Sequence, residues 1–573
     1  MRVAFILLLL GFLPAGAAEL TLDFALRWQG ALLAVPSSEV LNAAGQQLRL
    51  TRFALLISGV TLRRDDGSAA QLDGQHGFID AETGRLAVTL RNVPAGDYTG
   101  LEFQIGLPAA LNHADPAQWP AGHPLNPIVN RLHWGWTGGY VFAAIEGRWR
   151  SAGEATERGF SYHLATDARV MRVGFVSLFR VEAATRLELA VDVGKILSGT
   201  RLAPGDGSET THSASDDVLA PRLAVAVERA FFFLEAKPVE RSVLARRVEE
   251  SRVTAGTPLA FAVPPGFPPP ELPADNPLTG EGVALGELLF NDPRLSAGRR
   301  QSCAGCHQER RAFSDSVALS LGVDRVPGTR NAMPLFNLAW SPAYAWDGSK
   351  PRIRDQVLAA MTNPIEMHAE LPSVVARLQN DRALREKFAA AFGSGEISAE
   401  RVLLALEQYL LTLVSGDSKL NRALRGEAQL SADEQRGFEL FITEYDPARG
   451  RRGADCFHCH GGVLFTDFGY RDNGIGGGTS DGGRGGVNGR ETDRGKFKTP
   501  SLRNVALTAP YMHDGRFATL EDVVAHYDHG VRRTAAWDPN LAKHPNEGLQ
   551  LGMDDQRALV AFLRTLTDAR FQR

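Results

Sequence analysis

The sequence predicts a multidomain chain in which an N-terminal all-β sandwich is followed by two mainly α-helical lobes. Three observations predict it. From Leu20 to about Leu234, apolar residues alternate with polar ones between turn pairs such as Asp66-Gly67 and Ala95-Gly96, the period of half-buried strands. From about Pro273 onward they recur instead at three- and four-residue steps, the period of amphipathic helices. All four cysteines fall in that helical part, in two copies of one short motif: Cys303-Ala304-Gly305-Cys306-His307 and, 153 positions later, Cys456-Phe457-His458-Cys459-His460.

Taken in order, residues 1–18 read as a secretory signal peptide: Met1-Arg2, an apolar run from Val3 to Leu13, then Pro14-Ala15-Gly16-Ala17-Ala18 as a small-residue cleavage region. The run is too short to span a bilayer, and nothing later is long and apolar enough. The expectation is an exported protein with no stable membrane span, periplasmic in a bacterium. Residues 19–235 carry the strands, for example Leu20-Thr21-Leu22-Asp23-Phe24 and Arg85-Leu86-Ala87-Val88-Thr89-Leu90, and read as an antiparallel sandwich or barrel. Residues 236–272 are charged, then proline-rich through Pro264-Pro265-Gly266-Phe267-Pro268-Pro269-Pro270, which suits a stiff linker. Helical segments then run from Gly282 to Leu289, Leu371 to Phe392, Ala399 to Leu413, Ala432 to Phe441 and Asp554 to Leu566. They divide into lobes at 273–425 and 426–573, one per cysteine motif. A formal charge of -4 with both signs interspersed gives no basic footprint for nucleic acid or anionic lipid.

The cysteine motifs carry the chemistry. Each C-x-x-C-H can form two thioether bonds to a heme and offer the adjoining histidine to the iron, so His307 and His460 are the expected proximal ligands and the lobes are expected to be cytochrome c-like. Zinc knuckles or redox C-x-x-C sites leave the following histidine unexplained. The glycine-dominated stretch from Gly474 to Gly495 has no G-K-[ST] ending and no preceding apolar strand. It therefore reads as a flexible or heme-wrapping loop and not as a phosphate cradle.

From about Pro273 to the end, the chain resembles the bacterial diheme cytochrome c peroxidase superfamily, which includes the MauG-type enzymes that oxidise residues of a partner protein. The resemblance is carried by Leu285-Gly286-Glu287-Leu288-Leu289-Phe290-Asn291-Asp292, both C-x-x-C-H motifs, Tyr344-Ala345-Trp346-Asp347-Gly348, Asn363-Pro364-Ile365-Glu366-Met367, Phe497-Lys498-Thr499-Pro500-Ser501-Leu502-Arg503-Asn504, and Ala509-Pro510-Tyr511-Met512-His513-Asp514-Gly515. It implies that the first heme, on His307, reacts with peroxide and the second, on His460, passes electrons. Glu366 matches the acid/base over the first heme, Gln356 a glutamine lining that pocket, and Trp346 an oxidisable ring between the hemes. Asn331, Thr508 and Pro510 match positions that hold a calcium ion. Two departures from simple peroxidases stand out. No histidine lies between His307 and His368 to block the first iron, and the position fourteen residues after His513, where simple peroxidases have a methionine ligand to the second heme, is Tyr527, flanked by His526 and His529. Tyr527 is the MauG-type choice, and an anionic oxygen ligand lowers the reduction potential.

Residues 20 to about 235 resemble the methanobactin-associated copper-binding (MbnP-like) family, through Leu132-His133-Trp134-Gly135-Trp136-Thr137-Gly138-Gly139-Tyr140, Ile145-Glu146-Gly147, Tyr162-His163 and Thr211-His212-Ser213. The resemblance implies copper held by histidines together with a tryptophan-derived kynurenine that a diheme enzyme makes. Imidazole suits copper. His163 and His212 are the expected ligands, with His123 and His133 in reserve, and Trp136 is the expected oxidation target ahead of Trp134. The leading expectation is a periplasmic enzyme that uses hydrogen peroxide to oxidise a tryptophan on its own copper domain, in cis or in trans. Its rivals are a detoxifying peroxidase fed by an external small cytochrome or cupredoxin, and a copper carrier or electron-transfer protein without peroxidase turnover.

Overall fold

The computed structural model describes residues 17–135, 139–238, 255–475, 481–534, 536–544 and 548–571. Most of the expected signal peptide, Trp136, and positions 476–480 of the glycine-rich stretch lie outside the described residues.

Strand Ala17–Trp28 buries Leu20, Leu22, Phe24 and Leu26, the alternation that the sequence pattern demands. It pairs antiparallel with Ala87–Pro94. Its other main partner corrects the antiparallel expectation: Ala184–Asp192 runs parallel to it, with Glu19 opposite Ala184 and Arg27 opposite Asp192. Parallel neighbours need a long crossover, and here the second sheet supplies it. That sheet runs in the order Met171–Val181, Gly96–Ile105, Gln47–Arg63, Gly139–Arg150, Arg158–Ala165, Thr210–Thr211. Phe24 and Phe231 of the first sheet meet Phe103 of the second at ring-centroid distances of 6.1 and 5.6 Å, all edge-on. These contacts form the sandwich core. The last strand, Phe231–Pro238, continues past the expected boundary at 235.

Of the expected linker at 236–272, residues 239–254 lie outside the described residues. Its proline-rich part is packed on the first lobe, where the Leu259 amide donates to the Leu278 carbonyl and the Trp340 indole N–H donates to the Pro268 carbonyl at 2.7 Å. Phe267 is 2% exposed and lies edge-on to Trp340 at 5.4 Å. The prolines keep this segment extended, so one phenylalanine can reach the core without forming a helix.

The two lobes repeat one packing device. In the first, helix Gly280–Phe290 crosses Ala399–Leu411, and a Cβ on Gly286 would stand 2.0 Å from the Ala405 carbonyl oxygen. In the second, helix Ala432–Ile442 crosses Met553–Arg564, and a Cβ on Gly437 would stand 1.9 Å from the Ala558 oxygen. Only glycine allows backbones that close. The chain end returns to the first lobe, where Phe571 packs on Phe313.

The β domain docks on the second lobe within the same chain. Strand Arg158–Ala165 lies against the short helix Pro539–Ala542, Arg449 pairs with Asp217 at 3.2 Å, and Arg451 pairs with Asp216 at 3.1 Å. Strands Gly139–Arg150 and Arg158–Ala165 are consequently buried at nearly every position, whereas Met171–Val181, at the far edge of the same sheet, alternates.

Phe267→Ala is expected to destabilise the heme-loaded protein by about 3–5 kcal/mol, read as a lower urea midpoint at unchanged m-value; a solvated linker would tolerate the change within about 0.5 kcal/mol.

Candidate active site

Both attachment loops present their histidine in the same way. Cys303–Cys306 forms one helical turn, and His307 Nδ1 lies 2.9 Å from the Phe313 carbonyl oxygen. In the second loop His460 Nδ1 lies 3.2 Å from the Phe465 carbonyl oxygen. A ring that donates Nδ1–H to a carbonyl leaves Nε2 unprotonated and fixed in direction, ready to ligate a metal. Burial holds both histidines below their ordinary pKa, so they are neutral at pH 7. No disulfide joins the four cysteines, so all four are available for thioether attachment.

The second loop opens on a largely apolar cleft lined by Cys456, Cys459, His460 and Tyr527. The residue types and the free Nε2 of His460 fit a covalently attached heme. Tyr527 lies in the π-helical turn His526–Gly530, a distortion that often marks functional positions. Its hydroxyl accepts from the Asn473 amide at 3.3 Å, and burial raises its pKa above the ordinary phenol value. His526 Nε2 instead meets the Asn473 carbonyl oxygen at 3.0 Å, and the exposed His529 pairs with Asp528 at 3.0 Å. Trp346, Asn331, Thr508 and Pro510 all line this same cleft. The Trp346 indole N–H donates to the Asn331 carbonyl at 2.9 Å.

Near the first loop, Asn363 Nδ2 donates to Glu366 Oε1 at 2.7 Å. Desolvation raises the Glu366 carboxyl above its ordinary pKa, with Asn363 opposing. Gln356, on helix Ile353–Thr362, has a buried amide oxygen with no hydrogen-bond partner among the described residues. An orphaned acceptor of this kind fits a pocket shaped for a ligand.

The domain interface gathers a third group that the sequence reading only half anticipated. His163 Nδ1 and His212 Nε2 are 2.9 Å apart, so the two expected copper ligands are neighbours. His458, from inside the second C-x-x-C-H, joins them, so that one ring nitrogen from each of the three lies within 4.8 Å of the others. Glu146 accepts from the far side of His163 at 3.0 Å and pairs with Arg52 at 2.8 Å. Glu444 lies 2.9 Å from both His212 Nε2 and His458 Nε2, and also accepts from Thr210 Oγ1. Lys543 contacts Glu444 and stands 3.1 Å from Asp455. Burial lowers His163 to about 3, with Glu146 opposing. Trp134 closes the cluster, with ring centroids 5.9 Å from His163, 5.6 Å from His212 and 5.9 Å from Phe457. The reserve histidines are elsewhere: His123 stacks on Trp119 at 4.3 Å, and His133 packs edge-on to Tyr140 at 4.6 Å. The signal for His458 was a polar ring at a position where heme attachment needs none.

Comparison with known proteins assigns the family. Residues 280–429 match the family model described as Di-haem cytochrome c peroxidase, and residues 17–213 match the MbnP model. The methylamine utilization protein MauG of Methylorubrum extorquens is 39% identical over 298 residues, which are 51% of this chain and 80% of that protein. The chain belongs to the di-haem cytochrome c peroxidase family. Cytochrome c551 peroxidase of Nitrosomonas europaea is 32% identical over 302 residues, 51% of this chain and 82% of that protein. Among solved structures, a MauG-like protein associated with microbial copper homeostasis aligns with a TM-score of 0.50 at 33% identity, over 55% of this chain and 97% of that one. This di-haem peroxidase thus carries an MbnP domain in the same chain. It is an oxidoreductase of the diheme c-type peroxidase kind, and its family implies two c-type hemes and peroxide as a substrate. Among its described residues no helix is long and apolar enough to cross a membrane.

Lys543→Ala would leave Glu444 and Asp455 buried without their cation. It is expected to destabilise the protein by about 3–5 kcal/mol, measured by urea unfolding, and to speed hydrogen exchange in the docked segments 158–165 and 539–544.

Proposed function

We propose that this protein is a periplasmic enzyme that uses hydrogen peroxide to oxidise a tryptophan of its own MbnP domain within one chain. The observation that carries the proposal is the position of Trp134. Its indole lies 5.9 Å from Phe457, a residue between the two cysteines of the second attachment motif. Trp136 remains the alternative target.

Bound at Cys303, Cys306 and His307 and at Cys456, Cys459 and His460, two hemes would supply the redox chemistry that reduces peroxide and carries the oxidising equivalents. The remaining work falls to side chains. Glu366, positioned by Asn363 and partly desolvated, takes a proton from one peroxide oxygen and delivers it to the leaving oxygen. Gln356 offers its unpartnered amide oxygen to the same pocket. Trp346, anchored through its N–H to Asn331, is the oxidisable ring on the wall of the second cleft. Tyr527 would supply the oxygen ligand to the second heme, favoured over His526 and His529 because it lines the cleft, whereas His526 Nε2 meets the Asn473 carbonyl and His529 is exposed beside Asp528. Calcium is assigned to Asn331, Thr508 and Pro510, and copper to His163 and His212. In the overall reaction each hydrogen peroxide accepts two electrons from the indole, adds one oxygen atom to it and leaves the other as water. The match to cytochrome c551 peroxidase supports one rival, peroxide removal with an external small cytochrome or cupredoxin as donor.

Mass spectrometry of the heme-loaded protein before and after stoichiometric hydrogen peroxide tests the reading. Oxygen gained on Trp134 or Trp136 is expected, lost in Glu366→Gln as peroxide reactivity falls by about 10²–10⁴-fold. No gain, with peroxide consumed only when a reduced donor is added, would leave the rival. Because burial raises the Glu366 pKa and its base form is the active one, the reaction rate should fall with decreasing pH at a higher pH than for an exposed glutamate, and this limb should vanish in Glu366→Gln. Tyr527→Phe is expected to change the absorption spectrum of the second heme and raise its reduction potential, while His529→Ala leaves both unchanged.

A further inference from the structure

We infer that His458 completes a metal site shared between the two halves of the chain, in which one copper(I) ion is held by His163 and His212 of the β domain, His458 of the second heme-attachment loop, and Glu444. The inference rests on the copper assignment to His163 and His212 and adds ligands from the enzyme half.

Four observations support it. His163 Nδ1, His212 Nε2 and a nitrogen of His458 converge within 4.8 Å of one another, and His212 Nε2 and His458 Nε2 both lie 2.9 Å from Glu444 Oε2. This is a three-nitrogen, one-oxygen set of the kind that imidazole-seeking metals take. His163 already has the orienting partner expected of a metal ligand, since its Nε2 faces Glu146 at 3.0 Å while Nδ1 points into the cluster. The cluster is enclosed, with His163, His458 and Glu444 all under 10% exposed, so a bound ion would be shielded from water. Finally, three carboxylates, Glu146, Glu444 and Asp455, surround the cluster against two permanent cations, Arg52 and Lys543. This acidic surround favours a bound cation. Lys543 Nζ lies 3.3 Å from His458 Nε2. Metal entry therefore requires the ammonium to withdraw onto Glu444 Oε1 and Asp455 Oδ2, both of which it already contacts. The site exists only in the docked arrangement, so the same arrangement that brings Trp134 to the second lobe also builds the metal site.

The test uses heme-loaded, copper-free full-length protein titrated anaerobically with copper(I) against a competing chelator, with heme content checked by absorbance for each variant. One copper per chain is expected. His458→Ala should weaken binding by at least the ~10–100-fold that loss of even an outer-shell partner costs, and hydrogen exchange at residues 539–544 should slow on copper addition in the wild type but not in the variant. Should His458→Ala fail to take up heme, X-ray absorption on the copper(I)-loaded wild type still decides, with three coordinated imidazoles expected. Two imidazoles, or unchanged affinity in His458→Ala while His163→Ala and His212→Ala lose copper, would overturn the shared site and leave the domain copper site standing. Indifference of all three variants would overturn both, and tryptophan oxidation, read separately by mass spectrometry, would be untouched by either result.

Discussion

Glu444 ties the two halves of the chain together. It sits at the end of the first helix of the second lobe, where it accepts from Thr210 of the β domain, meets His212 of the β domain and His458 of the attachment loop, and is held by Lys543. A carboxylate buried this deeply is tolerable only when its partners are in place. Undocking the domains would strip it of Thr210 and His212 while leaving Lys543 and Asp455 behind. Electrostatics therefore favours a single relative orientation, and the surrounding contacts, including the pairs Arg449–Asp217 and Arg451–Asp216, reinforce it.

Within the peroxidase region, two lobes of unrelated local sequence reach the same result. Each has a glycine where its first helix crosses a long later one, and each turns its attachment-loop histidine with a carbonyl a few residues downstream. The first device sets how closely the helices approach, and the second sets which nitrogen faces the cleft. Neither depends on the side chains that differ between the lobes, such as Glu366 in one and Tyr527 in the other.

The helical and strand halves, the attachment motifs and the family were legible because each leaves a local trace: a period of two or of three to four, or a fixed spacing. The pairing of His163 with His212 was legible through resemblance. What was not legible depends on contacts between distant segments. The parallel pairing of Ala17–Trp28 with Ala184–Asp192 joins strands separated by a whole sheet, and alternation alone cannot distinguish it from an antiparallel partner. The proline-rich segment looked solvated because its composition matches linkers, yet Phe267 and the Pro268 carbonyl are committed to Trp340. His458 was hidden because C-x-x-C-H leaves its two inner positions free, so a histidine there carries no spacing signal.

Docking in cis has a kinetic meaning. A domain held against the second heme lobe of its own chain does not diffuse away, so the encounter is intramolecular, at the millimolar or higher effective concentrations that tethering gives. Under the proposed reaction the altered indole also stays where it was made, against Phe457 of the second attachment loop. Such a protein matures instead of turning over: its peroxide consumption is bounded by the number of chains made, and oxidant exposure is recorded once, permanently, in each molecule.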